Sequence, residues 1–259
     1  MLIAMIADNS HIRVKGFEGD EQTMLAAIAT EPRQTADHYI CLLGQLFAIR
    51  GVQKDQITGC VLGSVVPQLT QALCDALTFV TGQRVLNVSS GIRTGLNIRS
   101  AQPQQVGADR VAAAVAAKAR DRLPCVVVDC GAATTFTVLD RSGILCASAI
   151  AAGVQMSLEA LHASSAQLPT VALEAAGRCD VLARSTEDAM RVGVTIGAAA
   201  MIDGMLARYA EALGATPQVW LTGGSASFVA PHLRARWHGA DDLAFEGLRL
   251  IWEKNHPER

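Results

Sequence analysis

Hydrophobic and polar positions along the first thirty residues predict three short β-strands. An apolar run over residues 2–7 ends in a polar turn at 8–10, and a second strand is predicted over 12–17. The segment EGDE at 18–21 has the composition of a hairpin turn, and a third strand follows at about 23–29. The chain therefore begins with a strand, a tight polar turn, a second strand, a hairpin turn and a third strand.

Helices and strands alternate through the rest of the first half. Apolar residues recur at helical spacing over 35–51, where Thr35 is a candidate cap and Gly51 a stop. A buried strand is predicted at 60–66, and Pro67 opens the helix behind it. A short strand and an alanine-rich helix then follow, over residues 84–88 and about 104–120.

The second half of the chain repeats the pattern of the first. Residues 125–150 again predict a strand, a polar turn, a strand, a hairpin turn and a strand. Helices are predicted at about 153–166 and 186–212, then a strand at 218–224 and further helices. A duplicated βββαβα unit indicates an α/β fold of two similar domains, with mixed sheets flanked by helices and an interdomain cleft. The predicted domains cover residues 1–118 and 119–259.

Composition and charge exclude several classes of function. The chain has 259 residues and a net charge of −2, which gives no electrostatic footprint for nucleic acid or an anionic membrane. The N-terminal apolar run lacks a basic flank, so no signal peptide is predicted, and no apolar stretch reaches the roughly 20 residues of a membrane span. We therefore expect a cytoplasmic protein with neither nucleic-acid nor membrane partners.

Cysteine and histidine usage predicts no metal site. The seven cysteines are scattered, mostly within apolar runs, and show no CxxC pair. Buried, reduced thiols of a cytosolic protein are the expected state. The six histidines are equally dispersed, and no metal is assigned to them.

Five motifs are recognisable along the chain: TGLNIRSAQPQQVGADR (94–110), VVVDCGAATTF (126–136), RSTEDAM (184–190), TGG (222–224) and GLRLIWEKN (247–255). These motifs resemble those of type III pantothenate kinases, which belong to the actin-like, sugar-kinase-like ATPase superfamily. The resemblance runs along nearly the whole chain in the right order. It implies two RNase H-like, actin-like domains, a dimer, and ATP-dependent phosphorylation of pantothenate towards coenzyme A. It also implies a divalent cation, Mg²⁺, with ATP, and a monovalent cation, K⁺ or NH₄⁺.

The resemblance also assigns roles to individual residues. Asp109 matches the base that acts on the pantothenate hydroxyl, and Asp129 matches the monovalent-cation ligand. A carboxylate can accept the hydroxyl proton and hold the acceptor in line. Taken alone, Asp109-Arg110 is more typical of a solvated helix turn, and the full motif reverses that preference. For Asp129, the alternative is a strand-end aspartate that caps its own turn. The substrate-binding residues implied are Gly107, Ala108, Arg110, Thr186 and Ser100, the last replacing a tyrosine.

The first phosphate turn departs from the family pattern Asp-x-Gly-Asn-Thr. Ile6 stands at the Asp position and Asp8 at the Gly position, whereas Asn9 is kept and Ser10 replaces Thr. Ile6 removes a carboxylate that positions Mg²⁺, and Asp8 would lie about 6.6 Å further along the strand. A carboxylate about 4 Å from a phosphate costs on the order of 4 kcal/mol, unless a metal bridges the two. ATP·Mg²⁺ binding is therefore predicted to be weak or lost.

The other ATP-binding positions are also partly altered. The second phosphate motif, usually Gly-Thr-Ala-Thr-Thr, here has an alanine where the family offers a hydroxyl to ATP. The segment ASAIAAG at 147–153 adds side chains beside the substrate and lacks the family's proline. The substitutions cluster at the ligand-binding positions, while the hydrophobic pattern of the strands and helices is kept. This distribution predicts a stable fold with a rebuilt ATP site. The ATP-binding residues implied here are Gly131, Ala132, Thr134, Gly223 and Gly224.

Three functional hypotheses follow from this distribution. The chain is a working pantothenate kinase with an altered phosphate loop, or a subunit of a heteromer that completes its site with a second type III pantothenate kinase homologue. The third hypothesis is a catalytically inactive homologue that acts as a regulatory or binding protein. Retention of the acceptor-side residues motivates the heteromer, because the family's substrate site lies at the dimer interface.

Overall fold

The computed structural model describes residues 1–19, 21–173 and 180–257. These residues form two compact units. Unit 1 comprises residues 1–96, 101–119 and the C-terminal segment from Leu243. Unit 2 comprises residues 97–100 and 120–242.

Eleven strands are present in the described residues, arranged in two mixed sheets. Each sheet combines an antiparallel three-stranded meander with parallel strands at one side. The strands are β1 (Leu2–Ala7), β2 (His11–Glu18), β3 (Glu21–Ala29), β4 (Gly59–Ser64), β5 (Val85–Asn87), β6 (Asn97–Ile98), β7 (Cys125–Cys130), β8 (Ala133–Leu139), β9 (Ile144–Ala152), β10 (Gln218–Thr222) and β11 (His238–Gly239).

Seven α-helices flank the two sheets within the described part of the chain. Their ends follow the local sequence: the Thr35 hydroxyl caps the first helix, Pro67 begins the second, and Ser185 caps the longest. Gly82 and Gly214 end two helices in the left-handed conformation. The helices are α1 (Ala36–Ile49), α2 (Pro67–Thr81), α3 (Ala108–Ala119), α4 (Val154–Ala163), α5 (Thr186–Leu213), α6 (Ala226–Val229) and α7 (Leu243–Asn255).

The sheet orders confirm the predicted duplication. Unit 1 has the order β3-β2-β1-β4-β5, and unit 2 has β11-β10-β7-β8-β9-β6. Read from the meander outwards, unit 2 repeats the order of unit 1 and adds β6 beside β9. The predicted α/β class with mixed sheets flanked by helices is therefore confirmed.

Strand β1 lies in the middle of its sheet and is buried on both faces. Ile3, Met5 and Ala7 pack into a hydrophobic cluster with α1 and α2. The intervening positions, Ala4 and Ile6 among them, face a second cluster built from α3 and α7. This alternation follows the two-residue period of a strand, and it turns one face of β1 towards α7.

The compact units of the structure differ from the predicted domain ranges at the C-terminal helix. The break between residues 119 and 120 lies one residue from the predicted boundary at 118. The predicted second domain extended to residue 259, but α7 packs on α3, β1 and β4 of unit 1. The short strands β6 and β11 were not predicted either, because two residues carry no detectable periodicity.

One smaller expectation also changes. Helix α5 is long and apolar enough to span a membrane by length and composition, which the sequence reading did not anticipate. One face of α5 packs into the core of unit 2 through residues such as Val194, Ile202 and Leu206, as in a core helix of a globular protein. In the hairpin turn at 18–21, Gly19 has a φ of 62°, and Asp20 lies outside the described residues.

Six cysteines have free thiols, as expected, and Cys179 lies outside the described residues. Cys60, Cys125 and Cys130 are buried, whereas Cys41 is exposed, so the expectation of buried thiols was wrong for Cys41. Burial raises the pKa of the Cys130 thiol to about 12, which keeps it protonated at neutral pH.

Candidate functional site

The turn between β1 and β2 is closed by its own aspartate. The Asp8 Oδ1 atom accepts hydrogen bonds from the backbone N–H groups of Ser10 and His11, each at 2.8 Å. The Asp8 backbone N–H donates to the His11 carbonyl at 2.9 Å, and the Thr30 hydroxyl donates to the Asp8 carbonyl at 2.7 Å. Aspartate favours such turns because its short side chain substitutes for a backbone acceptor. Asp8 therefore has a structural role here.

An arginine that the sequence reading did not single out faces this aspartate. Arg13 on β2 places Nη2 3.6 Å from Asp8 Oδ2. Its Cζ lies 5.6 Å from the ring centroid of Phe245 on α7. In the antiparallel pair, Arg13 is the direct partner of Ile6. The signal that could have found Arg13 is this register, which follows once residues 8–10 are taken as the turn.

Ile6 is part of the hydrophobic core, with 1% of its surface exposed. It belongs to the same cluster as Ala108, Phe245 and Leu248. Ala108, predicted to bind substrate, is likewise buried in that cluster, whereas Asn9 and Ser10 are exposed at the turn.

The residues around this turn do not fit a protein-held Mg²⁺ ion. The family's carboxylate position is occupied by a buried isoleucine, and the carboxylate of Asp8 is occupied by two backbone N–H groups and Arg13. Within residues 1–19, 21–173 and 180–257, no group of three or more His, Cys, Asp or Glu side chains is arranged to hold a metal ion. Mg²⁺ needs oxygen ligands in octahedral geometry, and the turn offers it no uncommitted carboxylate.

Asp109 lies in the first turn of α3, in the same unit as Asp8. Its Oδ1 accepts the Arg110 backbone N–H at 2.8 Å. A Cβ at Gly107 would come within 2.5 Å of that oxygen, so the glycine leaves the space that the carboxylate occupies. Three of the predicted substrate-site residues are thus brought together at the start of one helix.

Burial raises the pKa of the Asp109 carboxyl above its ordinary value. The Arg110 backbone N–H and charge act in the opposite direction, and the negative charge of Asp8 raises the pKa further. Asp8 and Asp109 are therefore electrostatically coupled within unit 1. A carboxylate with a raised pKa is a stronger base once it is ionised, which suits proton abstraction from a hydroxyl group.

The corresponding turn of unit 2 is built from backbone and glycines. The Gly131 N–H donates to the Ala133 carbonyl at 3.1 Å. A Cβ at Gly153 would collide with the Ala132 carbonyl and come within 2.6 Å of the Gly131 carbonyl. Gly223 has a φ of +100°, and its Cβ would collide with Asp129 Oδ1 and come within 2.5 Å of the Cys130 carbonyl carbon. Only glycine allows this approach.

Asp129 is the carboxylate nearest this second turn, and it lies within β7 against the Gly223 backbone. A carboxylate in this position fits a cation ligand and also fits a structural contact with the turn. Thr134, by contrast, is fully buried, and its hydroxyl has no hydrogen-bond partner among the described residues. The structure therefore places Thr134 in the interior of unit 2.

The remaining predicted residues of unit 2 are on its surface. Ser100 follows β6 and is exposed, and Thr186 is the exposed first residue of α5, directly after its cap Ser185. Ala132 and Gly224 are exposed as well.

Taken together, the two mixed sheets, each with an antiparallel meander and parallel strands beside it, define an α/β protein with a duplicated fold. Solved structures agree. A Campylobacter jejuni protein described as a Baf family transcriptional activator superposes with a TM-score of 0.62, at 18% identity, over 99% of this chain and 100% of that chain. The activator of the 2-hydroxyisocaproyl-CoA dehydratase from Clostridium difficile superposes with a TM-score of 0.56, at 12% identity, over 100% and 98% of the two chains.

The sequence comparisons define the family more narrowly. The type III pantothenate kinase family matches residues 2–208. A type III pantothenate kinase of Rhodospirillum rubrum is 37% identical over 262 residues, covering 100% of both chains. One of Geobacter sulfurreducens is 34% identical over 255 residues, covering 98% of this chain and 99% of its relative. The chain belongs to the type III pantothenate kinase family.

Proposed function

We propose that this protein phosphorylates pantothenate with ATP to give 4′-phosphopantothenate, a step towards coenzyme A. The observation that carries the proposal is the Asp109 carboxylate, which is partly buried at the start of α3 and has a raised pKa. Membership of a family of pantothenate kinases over nearly the whole chain supports the same conclusion.

In the proposed reaction, Asp109 is the base. Its Oδ1 accepts the Arg110 backbone N–H, which orients the carboxylate and leaves Oδ2 to take the proton of the pantothenate hydroxyl. Gly107 keeps the space beside this carboxylate clear. The guanidinium of Arg110 supplies donors that suit the pantothenate carboxylate or the transferred phosphoryl group.

The other assigned residues remain proposals. Ala108, Thr186 and Ser100 would contact pantothenate, and the residues assigned to ATP in unit 1 are Ile6 of β1 and the turn residues Asp8, Asn9 and Ser10. In unit 2, Gly131, Ala132, Thr134, Gly223 and Gly224 are assigned to ATP, and Asp129 to a monovalent cation, K⁺ or NH₄⁺. Mg²⁺ arriving with ATP would neutralise phosphate charge, but the turn at 8–10 does not provide its protein ligand. We expect ATP·Mg²⁺ to bind weakly.

We also propose that the protein is a cytoplasmic dimer, either a homodimer or a heteromer with a second type III pantothenate kinase homologue. Helix α5 supports this because Gly193, Gly197 and Gly204 leave one of its faces open: apart from the helix's own backbone, no atom of residues 1–19, 21–173 or 180–257 lies within 4 Å of where a Cβ would be. Such a face lets a second helix approach closely. Light scattering coupled to gel filtration would report the mass of the purified protein.

The direct test is detection of 4′-phosphopantothenate by mass spectrometry after incubation of the purified protein with ATP, Mg²⁺, K⁺ and pantothenate. Asp109→Asn should lower kcat by a factor of about 10²–10⁴, the usual contribution of a general base. Asp55→Asn removes an exposed carboxylate of unit 1 and serves as the matched control, with unchanged kcat.

Other outcomes separate the three hypotheses. Product that forms only after a second homologue is added would identify this chain as a subunit of a heteromeric kinase. Absence of product with and without that partner would contradict the proposal and favour a regulatory or binding protein.

A further inference from the structure

We propose that Arg13 replaces a protein-held divalent cation at the first phosphate turn, so that the turn binds the triphosphate of ATP through a guanidinium group. The inference rests on the proposed function, because it concerns how the same site holds its nucleotide. Its starting point is the disagreement already described: the residues of this turn do not fit a Mg²⁺ ion, yet a permanent positive charge is present beside them.

The strand register brings the substitution and the arginine together. Ile6 and Arg13 are direct partners across the antiparallel pair β1 and β2. Side chains at partnered positions lie on the same face of a sheet, with Cβ atoms about 5 Å apart. A carboxylate at position 6 would compete with a phosphate group for this arginine, and isoleucine does not. Ile6, Asp8 and Arg13 together carry no net charge, so the arginine would act on a phosphate through its donors at close range and not through a net positive field.

Arg13 also removes the main obstacle that Asp8 presents to a phosphate group. A lone carboxylate about 4 Å from a phosphate would weaken binding by roughly a thousandfold. With the guanidinium 3.6 Å away, Asp8 and Arg13 together are neutral, and their combined field falls off rapidly with distance. Asp8 is therefore compatible with an anionic ligand as long as Arg13 is present.

The contact between Asp8 and Arg13 is weak enough to be exchanged. The two side chains are 30% and 38% exposed, and the 3.6 Å separation is longer than a hydrogen bond. Exposed pairs of this kind change an equilibrium by less than about fivefold. Asp8 keeps its two backbone hydrogen bonds when the guanidinium rotates towards a phosphate group, so the turn remains closed and Arg13 stays between the carboxylate and the phosphate.

Phe245 limits where the guanidinium can go. Its ring centroid lies 5.6 Å from Arg13 Cζ, within the range of a cation–π contact. The planar guanidinium has five donors and stays protonated, and it can bind two phosphate oxygens at once. Phe245 and Asp8 thus hold Arg13 beside the turn before any ligand arrives.

The test is a calorimetric titration of ATP, first with Mg²⁺ and then with EDTA. The wild type should lose less than about threefold in affinity when EDTA replaces Mg²⁺. Arg13→Gln should weaken ATP binding at least tenfold in EDTA. Arg13→Lys should recover part of the loss, because lysine restores the positive charge but cannot bind two phosphate oxygens in the planar geometry of a guanidinium. Asp8→Asn keeps an acceptor for the turn but removes the competing charge, so it should strengthen binding about tenfold. Arg50→Gln, an exposed arginine of unit 1, is the charge-matched control.

Urea unfolding of Arg13→Gln and Asp8→Asn shows whether each variant folds, and the gain expected for Asp8→Asn cannot arise from misfolding. Unchanged ATP affinity in folded Arg13→Gln would overturn the inference, as would wild-type binding that strictly requires Mg²⁺ or is absent in both solutions. The experiment distinguishes failure of this inference from failure of the proposed function. If the protein forms 4′-phosphopantothenate but binds ATP only with Mg²⁺, the role of Arg13 is wrong and the kinase activity stands. If ATP binding depends on Arg13 but no product forms, the kinase proposal is wrong and the role of Arg13 stands.

Discussion

The two turns that follow β1 and β7 occupy equivalent places in the duplicated fold, but their acidic residues lie at different positions. The fifth residue of β1 is the buried Ile6, whereas the fifth residue of β7 is Asp129. The position two residues further on is Asp8 in unit 1 and Gly131 in unit 2. Unit 1 therefore has its carboxylate in the turn, and unit 2 has it within the strand.

The two turns are also closed by different groups. In unit 1 the Asp8 side chain accepts backbone N–H groups. In unit 2 the Gly131 N–H bonds the Ala133 carbonyl, and Gly153 and Gly223 pack against that backbone. The same hairpin topology thus tolerates closure by a side chain or by backbone. Fold is set by the alternation of apolar residues in the strands, while ligand chemistry depends on a few turn positions.

Giving position 6 of β1 the aspartate that unit 2 has at the equivalent position of β7 should have the largest effect on the free energy of unfolding. Ile6→Asp places a carboxylate in a core position that is 1% exposed. Full burial raises a carboxyl pKa by about 3 to 5 units, the guanidinium of the partnered Arg13 offsets part of that rise, and the apolar burial of isoleucine is lost, so we expect a loss of about 4 kcal/mol in unfolding free energy at neutral pH. Urea unfolding followed by circular dichroism measures this loss.

Ile6→Val is the matched control for that experiment, because it removes one methylene and should cost about 1 kcal/mol. An Ile6→Asp variant as stable as Ile6→Val would show that position 6 can accommodate a carboxylate. The contrast between the two turns at this position would then have no energetic basis.

Substitution of a tightly packed glycine in the unit 2 turn should have the next largest effect on the free energy of unfolding. Gly223→Ala forces a side chain onto Asp129 and the Cys130 backbone at a φ of +100°. Such backbone strain alone costs about 1–3 kcal/mol, and the steric collision adds to it, so a total loss of about 3 kcal/mol is expected. Gly224→Ala, next in sequence and with open space within 4 Å of where its Cβ would lie, should change unfolding by less than about 1 kcal/mol. Equal unfolding midpoints for the two variants would contradict this packing.

Much of the fold could be predicted because it depends on local periodicity. The apolar run at 2–7, the Pro67 start and the Ser185-to-Gly214 helix all follow from strand period, proline geometry or helix caps. The site was predicted less completely. Asp109 and Gly107 do lie together because they belong to one helix start, and a contiguous motif preserves that proximity.

Features that depend on tertiary contacts could not be predicted in this way. Arg13 gains its significance only from its partner Ile6 across the sheet and from Phe245, which lies near the opposite end of the chain. For the same reason the sequence-based range 119–259 included α7: its helical pattern is clear, but nothing local indicates that it packs on α3 of unit 1. Thr134 was assigned to ATP from its motif, although strand alternation buries its side chain.

A smaller effect is expected from restoring a hydroxyl to the unit 2 turn. Ala132 is exposed, so Ala132→Thr can present its hydroxyl to a phosphate without disturbing the core. One additional hydrogen bond contributes about 0.5–1.5 kcal/mol, which corresponds to roughly 2- to 12-fold tighter ATP binding by calorimetry. Ala132→Val has the same shape without the hydroxyl. If Val tightens binding as much as Thr, the gain does not come from a hydrogen bond.

The smallest predicted effect concerns the coupling of Asp8 to Asp109, for which the unit 2 turn has no counterpart at Gly131. The negative charge of Asp8 raises the pKa of the Asp109 carboxyl, although burial is the larger cause. Asp8→Asn removes that charge and keeps a side-chain acceptor for the turn, so the pKa of Asp109 should fall. The base then remains ionised at lower pH, and the acid limb of the kcat/KM profile for pantothenate should move to lower pH by a fraction of a unit. Asp55→Asn should leave the limb in place. A limb that moves to higher pH in Asp8→Asn would show that Asp8 stabilises the ionised base, and the turn of unit 1 would then assist catalysis by a route other than charge repulsion.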